Sequence, residues 1–112
     1  IYHSFTENKL VSDVFEISGN LSNSKGNVNY NGLELTSCLK IESSTSIKFN
    51  TTENMTLTLI FGGITDASGK KIRINGTSYT IENNMLIVDL APGNYEITKG
   101  DSINLFYIKL EK

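Results

Sequence analysis

The sequence is poor in the residues that most often build reactive or cross-linked sites. Its 112 residues include no tryptophan, one cysteine, one histidine and one proline. The single cysteine, Cys38, rules out an internal disulfide, and the single histidine, His3, leaves no Cys/His cluster with the spacing of a zinc site. No segment approaches the ~20 apolar residues of a membrane span. A net charge of -2 lacks the basic excess of nucleic-acid or anionic-membrane surfaces, so we expect neither partner.

Catalytic chemistry also has little support in the sequence. Glycoside hydrolysis uses two carboxylates beside a cleft, whereas the acidic residues here are scattered near turns and no pair stands out. A Ser-His-Asp triad would depend on His3 near a chain end, and no Gly-x-Ser-x-Gly elbow is present. Cys38 fits a small core residue better than a nucleophile. The sequence therefore predicts no catalytic residue, and a small lyase or hydrolase is the least favoured class.

Metal binding is only weakly indicated. Asp13, Asp66, Asp89 and Asp101 could hold a structural calcium ion together with loop carbonyls, but the acidic spacing of an EF-hand loop is missing. We expect no cofactor and no metal site, with a structural calcium ion as the one alternative.

The chain does contain a succession of short strand-like segments, and none of them sustains a helical period. The predicted strands cover residues 2–5, 14–17, 33–41, 46–49, 55–61, 71–74, 78–81, 85–90, 94–98 and 103–110. Turn pairs such as Asn31-Gly32 and Pro92-Gly93 separate them. This pattern predicts an all-β fold of about ten short strands, an antiparallel, jelly-roll-like β-sandwich. Residues 1–112 are expected to form a single domain.

The strand pattern also predicts local features. In segment 33–41 the leucines and Ile41 share one face by alternation, which directs Lys40 away from the core together with Cys38 and Glu42. Segment 103–110 has apolar residues on both faces, as expected of a central strand covered on two sides.

Strand alternation continues on both sides of Asn75-Gly76. This dipeptide tolerates the two positive φ angles of a type I′ turn, so we predict a two-residue hairpin there.

A lysine precedes a glycine twice, at Lys25-Gly26 and Lys99-Gly100, and both pairs lie between strand-like segments. Glycine permits a left-handed or tight turn, so each lysine is expected on a loop and projected into water. One such lysine is usually a solubilising charge. Two of them, together with the outward Lys40, indicate a charged binding surface in a chain without tryptophan platforms.

Three segments of the sequence resemble a known family: residues 19–26, 35–45 and 95–108. The most specific parts are Leu39-Lys40-Ile41-Glu42-Ser43-Ser44 and Thr98-Lys99-Gly100-Asp101-Ser102. On these motifs, and over about residues 5–110, the chain resembles the pectin-binding carbohydrate-binding modules of family 77.

The resemblance implies a non-catalytic β-sandwich module that binds homogalacturonan, an acidic polysaccharide, through basic surface residues. Matched motif by motif, those residues are Lys25, Lys40 and Lys99. The resemblance further implies covalent linkage to a pectate lyase or related pectinase, and a secreted, extracellular protein that takes part in plant cell wall degradation. We expect a monomer, and a chain that is either a piece of a larger protein or a mature one.

The residues themselves leave alternatives open. A structural or protein-interaction β-sandwich that spaces the domains of a secreted protein is compatible with the same composition. Arg73, Lys48 or a tyrosine could also join the binding site.

Overall fold

The computed structural model describes all residues from 1 to 112. It contains no helix, and hence none long and apolar enough to cross a membrane. The strands are β1 Tyr2–Ser4, β2 Glu16–Ser18, β3 Asn20–Ser22, β4 Val28–Tyr30, β5 Leu33–Leu35, β6 Cys38–Ile41, β7 Ser46–Thr51, β8 Met55–Phe61, β9 Lys71–Ile74, β10 Thr77–Thr80, β11 Met85–Leu90, β12 Gly93–Lys99 and β13 Ile103–Glu111. Every pairing between them is antiparallel. The predicted all-β sandwich is confirmed.

The strands form two packed sheets and one separate hairpin. The larger sheet has the order β11-β8-β13-β6-β3, and β1 also pairs with β13. The smaller sheet has the order β10-β9-β12-β7-β2, while β4 and β5 pair only with each other. A single core of buried apolar residues takes Leu59 and Ile108 from the larger sheet and Ile47 and Ile97 from the smaller one. Burial of one apolar face of each sheet therefore holds the sandwich together.

The structure has 13 strands, more than the ten predicted. The sequence does not predict β3 and β4, because each is only three residues long. Segment 33–41 is not one strand, because the backbone N–H groups of Thr36 and Ser37 donate to Oγ1 of Thr6, at 2.9 and 3.2 Å, instead of to a neighbouring strand. The break separates β5 from β6 and leaves Leu33 exposed, contrary to the predicted shared face.

The hairpin predicted at Asn75-Gly76 is confirmed. Asn75 and Gly76 have φ angles of 50° and 78°, and Ile74 lies opposite Thr77 across the two-residue turn. These are the positive angles that a type I′ turn requires.

The last strand, β13, lies between β8 and β6 and is buried on both sides, as predicted. A bulge between Leu105 and Tyr107 shifts the alternation at Phe106. As a result Leu105 and Ile108 both face the core, whereas Phe106 and Tyr107 belong to a second cluster on the other face.

This second cluster lies beneath the β4–β5 hairpin. Its buried members are Leu35, Cys38, Ile60, Phe106 and Tyr107, and partly buried residues of β4 pack against them. The larger sheet is therefore apolar on both faces where the hairpin covers it, which explains why Cys38 is buried on a face predicted to point outward.

His3 on β1 is buried against Phe5 and Phe15, with ring centroids 4.7 and 6.3 Å away. Its Nε2 lies 2.7 Å from the backbone carbonyl oxygen of Lys9, so we assign the ring proton to Nε2. Burial lowers the pKa of His3 below its ordinary value, and the hydrogen bond to Lys9 acts in the opposite direction. The folded protein therefore favours the neutral ring.

We expect this histidine to make stability depend on pH. Its folded pKa lies below the unfolded value of about 6.5, so the unfolded chain takes up the proton first. The contribution is complete above that pH and is lost as the pH falls toward the folded pKa. Melting temperatures measured at about pH 7.5 and 5.5 should fall less for His3→Gln than for the wild type. An equal fall in both proteins would assign the effect to another group.

Candidate functional site

Lys25 lies in the bend between β3 and β4, and its backbone is held by a neighbouring turn. The carbonyl oxygen of Lys25 accepts a 2.7 Å hydrogen bond from the backbone N–H of Ile64. Gly26 has a φ of 87°, in the left-handed region expected of a Lys-Gly turn. Lys25 itself is half-buried. The backbone of the loop that carries Lys25 is therefore anchored to the turn at Ile64.

Lys40 lies on an inner strand of the larger sheet, between β13 and β3. On β6 it is paired with Asn20 of β3 on one side and Asn104 of β13 on the other. Its neighbours Leu39 and Ile41 are buried in the core, so Lys40 points to the outer face, as predicted.

Lys40 already has an acidic neighbour. Its Nζ lies 3.7 Å from Oε2 of Glu42, and the two side chains are 33% and 40% exposed. Asn20 donates a 3.0 Å hydrogen bond to Oε1 of Glu42. This bond lowers the pKa of Glu42 below its ordinary value, and the charges of Lys40 and Lys25 act in the same direction. Glu42 is therefore ionised at neutral pH.

Lys25 and Lys40 are carried by neighbouring segments, because Ser22, just before the Lys25 bend, pairs with Cys38, two residues before Lys40. Both ammonium charges act on Glu42, and both also act on the buried thiol of Cys38. Burial raises the pKa of Cys38 to about 11, while the charges of Lys25 and Lys40 oppose that rise. Both lysines therefore lie near Glu42 and Cys38, and the carboxylate of Glu42 offsets one of the two positive charges.

Lys99 differs from its predicted setting, because it is the last residue of β12 and does not lie in a loop. Gly100 after it has no positive φ, so no left-handed turn forms there. Glycine is needed for another reason: a Cβ at position 100 would lie 2.6 Å from the carbonyl oxygen of Lys71. The chain is held close at this point by a 2.9 Å hydrogen bond from the N–H of Asp101 to that same oxygen.

Lys99 comes from the smaller sheet but lies at the same end of the sandwich as Lys40. The turn after Lys99 leads to Ile103, which pairs with Ile41, the residue next to Lys40. Four residues of chain place the Cα of Lys99 within about 14 Å of the Cα of Ile103. Ile97, two residues earlier, is buried in the core, so Lys99 lies on the inward side of β12 and is half-buried, whereas Lys40 lies on the outer face of the larger sheet.

Three further residues adjoin this surface, and the sequence points to only one of them. Glu42 follows Lys40 by two residues on the same face, and strand alternation finds it. Gly63 and Ile64 are brought to Lys25 by tertiary contact alone, since nearly 40 residues separate them in the chain. No sequence pattern near Lys25 predicts that Gly63 and Ile64 lie beside it.

The largest groove lies at the opposite end of the molecule. Its volume is about 830 Å³, and it is lined by residues near the start of β12 and the end of β13. Its charged residues are Asp13, Glu16, Glu53, Glu96, Lys48 and Lys112. With four carboxylates and two lysines, this groove is a poor site for an anionic ligand. Lys48 therefore lies away from the surface that carries Lys25 and Lys40.

Three of the four aspartates considered for calcium accept structural hydrogen bonds, and the fourth, Asp13, lines the acidic groove. Asp66, Asp89 and Asp101 accept hydrogen bonds from the N–H of Ser68 at 3.0 Å, from the hydroxyl of Thr56 at 2.9 Å and from the N–H of Lys71 at 2.8 Å. No group of three or more His, Cys, Asp or Glu side chains is placed to hold a metal ion.

The two packed antiparallel sheets define the class of the protein, an all-β sandwich domain, and both sheets carry surface lysines. The profile of the family described as carbohydrate binding module 77 matches residues 1–108, and the chain belongs to that family. The resemblance inferred from the sequence is thereby confirmed. Such modules are generally non-catalytic, bind polysaccharide, are often linked to other modules and are typical of extracellular glycan-degrading proteins.

A solved structure supports the same assignment. It was reported in work on the complexity of the Ruminococcus flavefaciens cellulosome and an expansion in glycan recognition. Its sequence is 43% identical, the TM-score is 0.91, and the match covers 98% of this chain and 91% of the other. No curated protein matches the chain.

Proposed function

We propose that the module binds low-ester homogalacturonan through Lys25, Lys40 and Lys99, and that it targets an attached pectin-degrading enzyme to the plant cell wall. The observation that supports this most directly is the pairing of β3, which leads into the Lys25 bend, with β6, which carries Lys40. A chain of galacturonate carries one carboxylate per sugar, so it offers a row of anions to ammonium groups held on a rigid sandwich. The proposal requires no cofactor.

Lysine suits this ligand chemically. Its ammonium group has three hydrogen-bond donors and no fixed plane, so it can meet carboxylates and ring hydroxyls that approach at different angles. An exposed ion pair contributes only about 0.2 to 1 kcal/mol, and a partly shielded charge-assisted bond about 1.5 to 3. Three contacts then total roughly 3 to 6 kcal/mol, which corresponds to a Kd from millimolar to tens of micromolar. Linkage to an enzyme and a long polysaccharide raise retention further.

The test is a titration of the module with pectins of graded methyl esterification. Esterification removes the charge of each carboxylate, so we expect affinity to fall steadily from polygalacturonate to highly esterified pectin. Added salt at about 0.5 M should weaken the complex with polygalacturonate by screening. Equal binding to highly esterified pectin or cellulose would refute the electrostatic account, and retention on no polysaccharide would favour the spacer-domain alternative.

A further inference from the structure

The turn formed by Gly62, Gly63 and Ile64 packs against the Lys25 loop. The N–H of Ile64 donates to the carbonyl oxygen of Lys25 at 2.7 Å. An ideal Cβ on Gly26 would lie 3.0 Å from the nitrogen of Ile64 and 3.2 Å from Gly63, so the two backbones touch from both sides. The close approaches between this turn and the Lys25 loop are made by main-chain atoms.

Gly63 is the residue with the least room in this junction. Its φ is 80°, and a Cβ there would lie 2.1 Å from the carbonyl oxygen of Lys25. Its other near neighbour is the ring of Phe106, at 3.0 Å from that Cβ. Phe106 is fully buried in the second cluster and cannot give way without opening it. Any side chain at position 63 must therefore push the Lys25 loop outward.

Ile64, next in the chain, is 68% exposed although it is a large apolar residue. Its backbone N–H donates to the carbonyl oxygen of Lys25, so the two residues are neighbours, and the side chains of both reach solvent. A pyranose ring carries C–H groups on its faces and polar groups around its edge. An exposed apolar side chain beside an ammonium group can therefore contact the ring face while the ammonium meets the carboxylate.

We propose that this turn is part of the polyuronate site: Gly63 is a positioning residue that sets where Lys25 stands, and Ile64 contacts the apolar face of a galacturonate ring. This inference rests on the proposed function. It assigns roles to two residues that carry no charge. The site then recognises a sugar ring together with its carboxylate, and a carboxylate without the ring makes only one of the two contacts.

The Gly63 role is tested by Gly63→Ala against the control Gly69→Ala. Gly69 has a φ of 83°, almost the same as Gly63, but a Cβ there meets nothing within 4 Å. Both variants carry similar backbone strain, so both should lower the melting temperature, whereas only Gly63→Ala should weaken binding to polygalacturonate, by about ten-fold. Equal affinities in the two variants would overturn the positioning role.

A double-mutant cycle separates positioning from general loosening. If Gly63 acts through Lys25, Gly63→Ala should add little to the loss caused by Lys25→Ala, and both single variants should show the same reduced salt dependence. Fully additive losses with an unchanged salt dependence would contradict a role through Lys25. The Ile64 experiment gives an independent decision should Gly63→Ala fail to fold.

Ile64→Ser is compared with Ile87→Ser, which changes an isoleucine that is 61% exposed on β11. We expect a loss of about three- to ten-fold for Ile64→Ser and no loss for Ile87→Ser. The wild type and Lys25→Ala distinguish two kinds of failure. If the wild type does not bind polygalacturonate, the proposed function fails. If it binds, and Lys25→Ala weakens it while Ile64→Ser and Gly63→Ala do not, only the present inference fails.

Discussion

Simultaneous replacement of Lys25, Lys40 and Lys99 by alanine is expected to lower the affinity for de-esterified homogalacturonan by at least about 100-fold, because three charge-assisted contacts of roughly 1 to 2 kcal/mol each are lost. The single variants should lose about five- to thirty-fold each. The loss for Lys40→Ala should be the smallest, since Glu42 already engages its ammonium group. Isothermal titration with polygalacturonate, or affinity electrophoresis for the weak variants, measures the effect.

A triple variant of Lys48, Lys109 and Lys112 is the matched control. It removes the same net charge, but Lys48 and Lys112 line the acidic groove at the opposite end, and Lys109 is paired with Glu111 on β13 at 3.0 Å. Its affinity should stay close to that of the wild type at moderate salt. Comparable losses in the two triple variants would show that overall charge, and no particular surface, attracts the polysaccharide.

Phe106→Ala is expected to have the largest effect on folding, about 3 to 5 kcal/mol of unfolding free energy. Phe106 is fully buried at the β13 bulge, inside the cluster that joins the β4–β5 hairpin to the larger sheet. Its removal leaves a cavity that the neighbouring Gly63 turn can fill only by moving. Because that turn is bonded to Lys25, the variant should also bind polygalacturonate more weakly than the wild type at a temperature where both are folded.

Chemical denaturation monitored by circular dichroism measures the loss for Phe106→Ala. Ile87→Ala, an exposed residue on the same sheet, is the control and should change the unfolding free energy by less than about 0.5 kcal/mol. Similar values for the two variants would mean that the second cluster adds little to the stability of the fold.

Much of the fold follows from patterns that lie within a few residues of one another. The Asn75-Gly76 hairpin, the two-sided burial of β13 and the outward direction of Lys40 all follow from alternation and turn chemistry. Of the strands that the sequence does not predict, β3 depends on a distant partner, β6, whereas β4 pairs with the adjacent β5 and is missed because it is only three residues long. The break at Thr36 requires the hydroxyl of Thr6, and no pattern in segment 33–41 contains that residue.

The candidate site likewise has residues that the sequence predicts and contacts that it does not. The sequence supplies its charged residues through motifs around Lys25, Lys40 and Lys99, and it supplies Glu42 through strand alternation. The sequence does not predict the contact of the Gly63 turn with Lys25, because a glycine pair is equally typical of any turn. The role assigned to Gly100 also changes, from a left-handed turn to a close approach to Lys71.

Lys40 and Lys99 belong to different sheets, so no single loop determines how far apart their ammonium groups stand. Packed sheets lie about 10 Å apart, and a close-packed interior of apolar side chains has low compressibility. The leucines and isoleucines packed between the sheets therefore fix the separation of the two strands that carry Lys40 and Lys99. In the proposed site, the hydrophobic core therefore sets the distance between these two lysines, and substitutions in the core can change that distance.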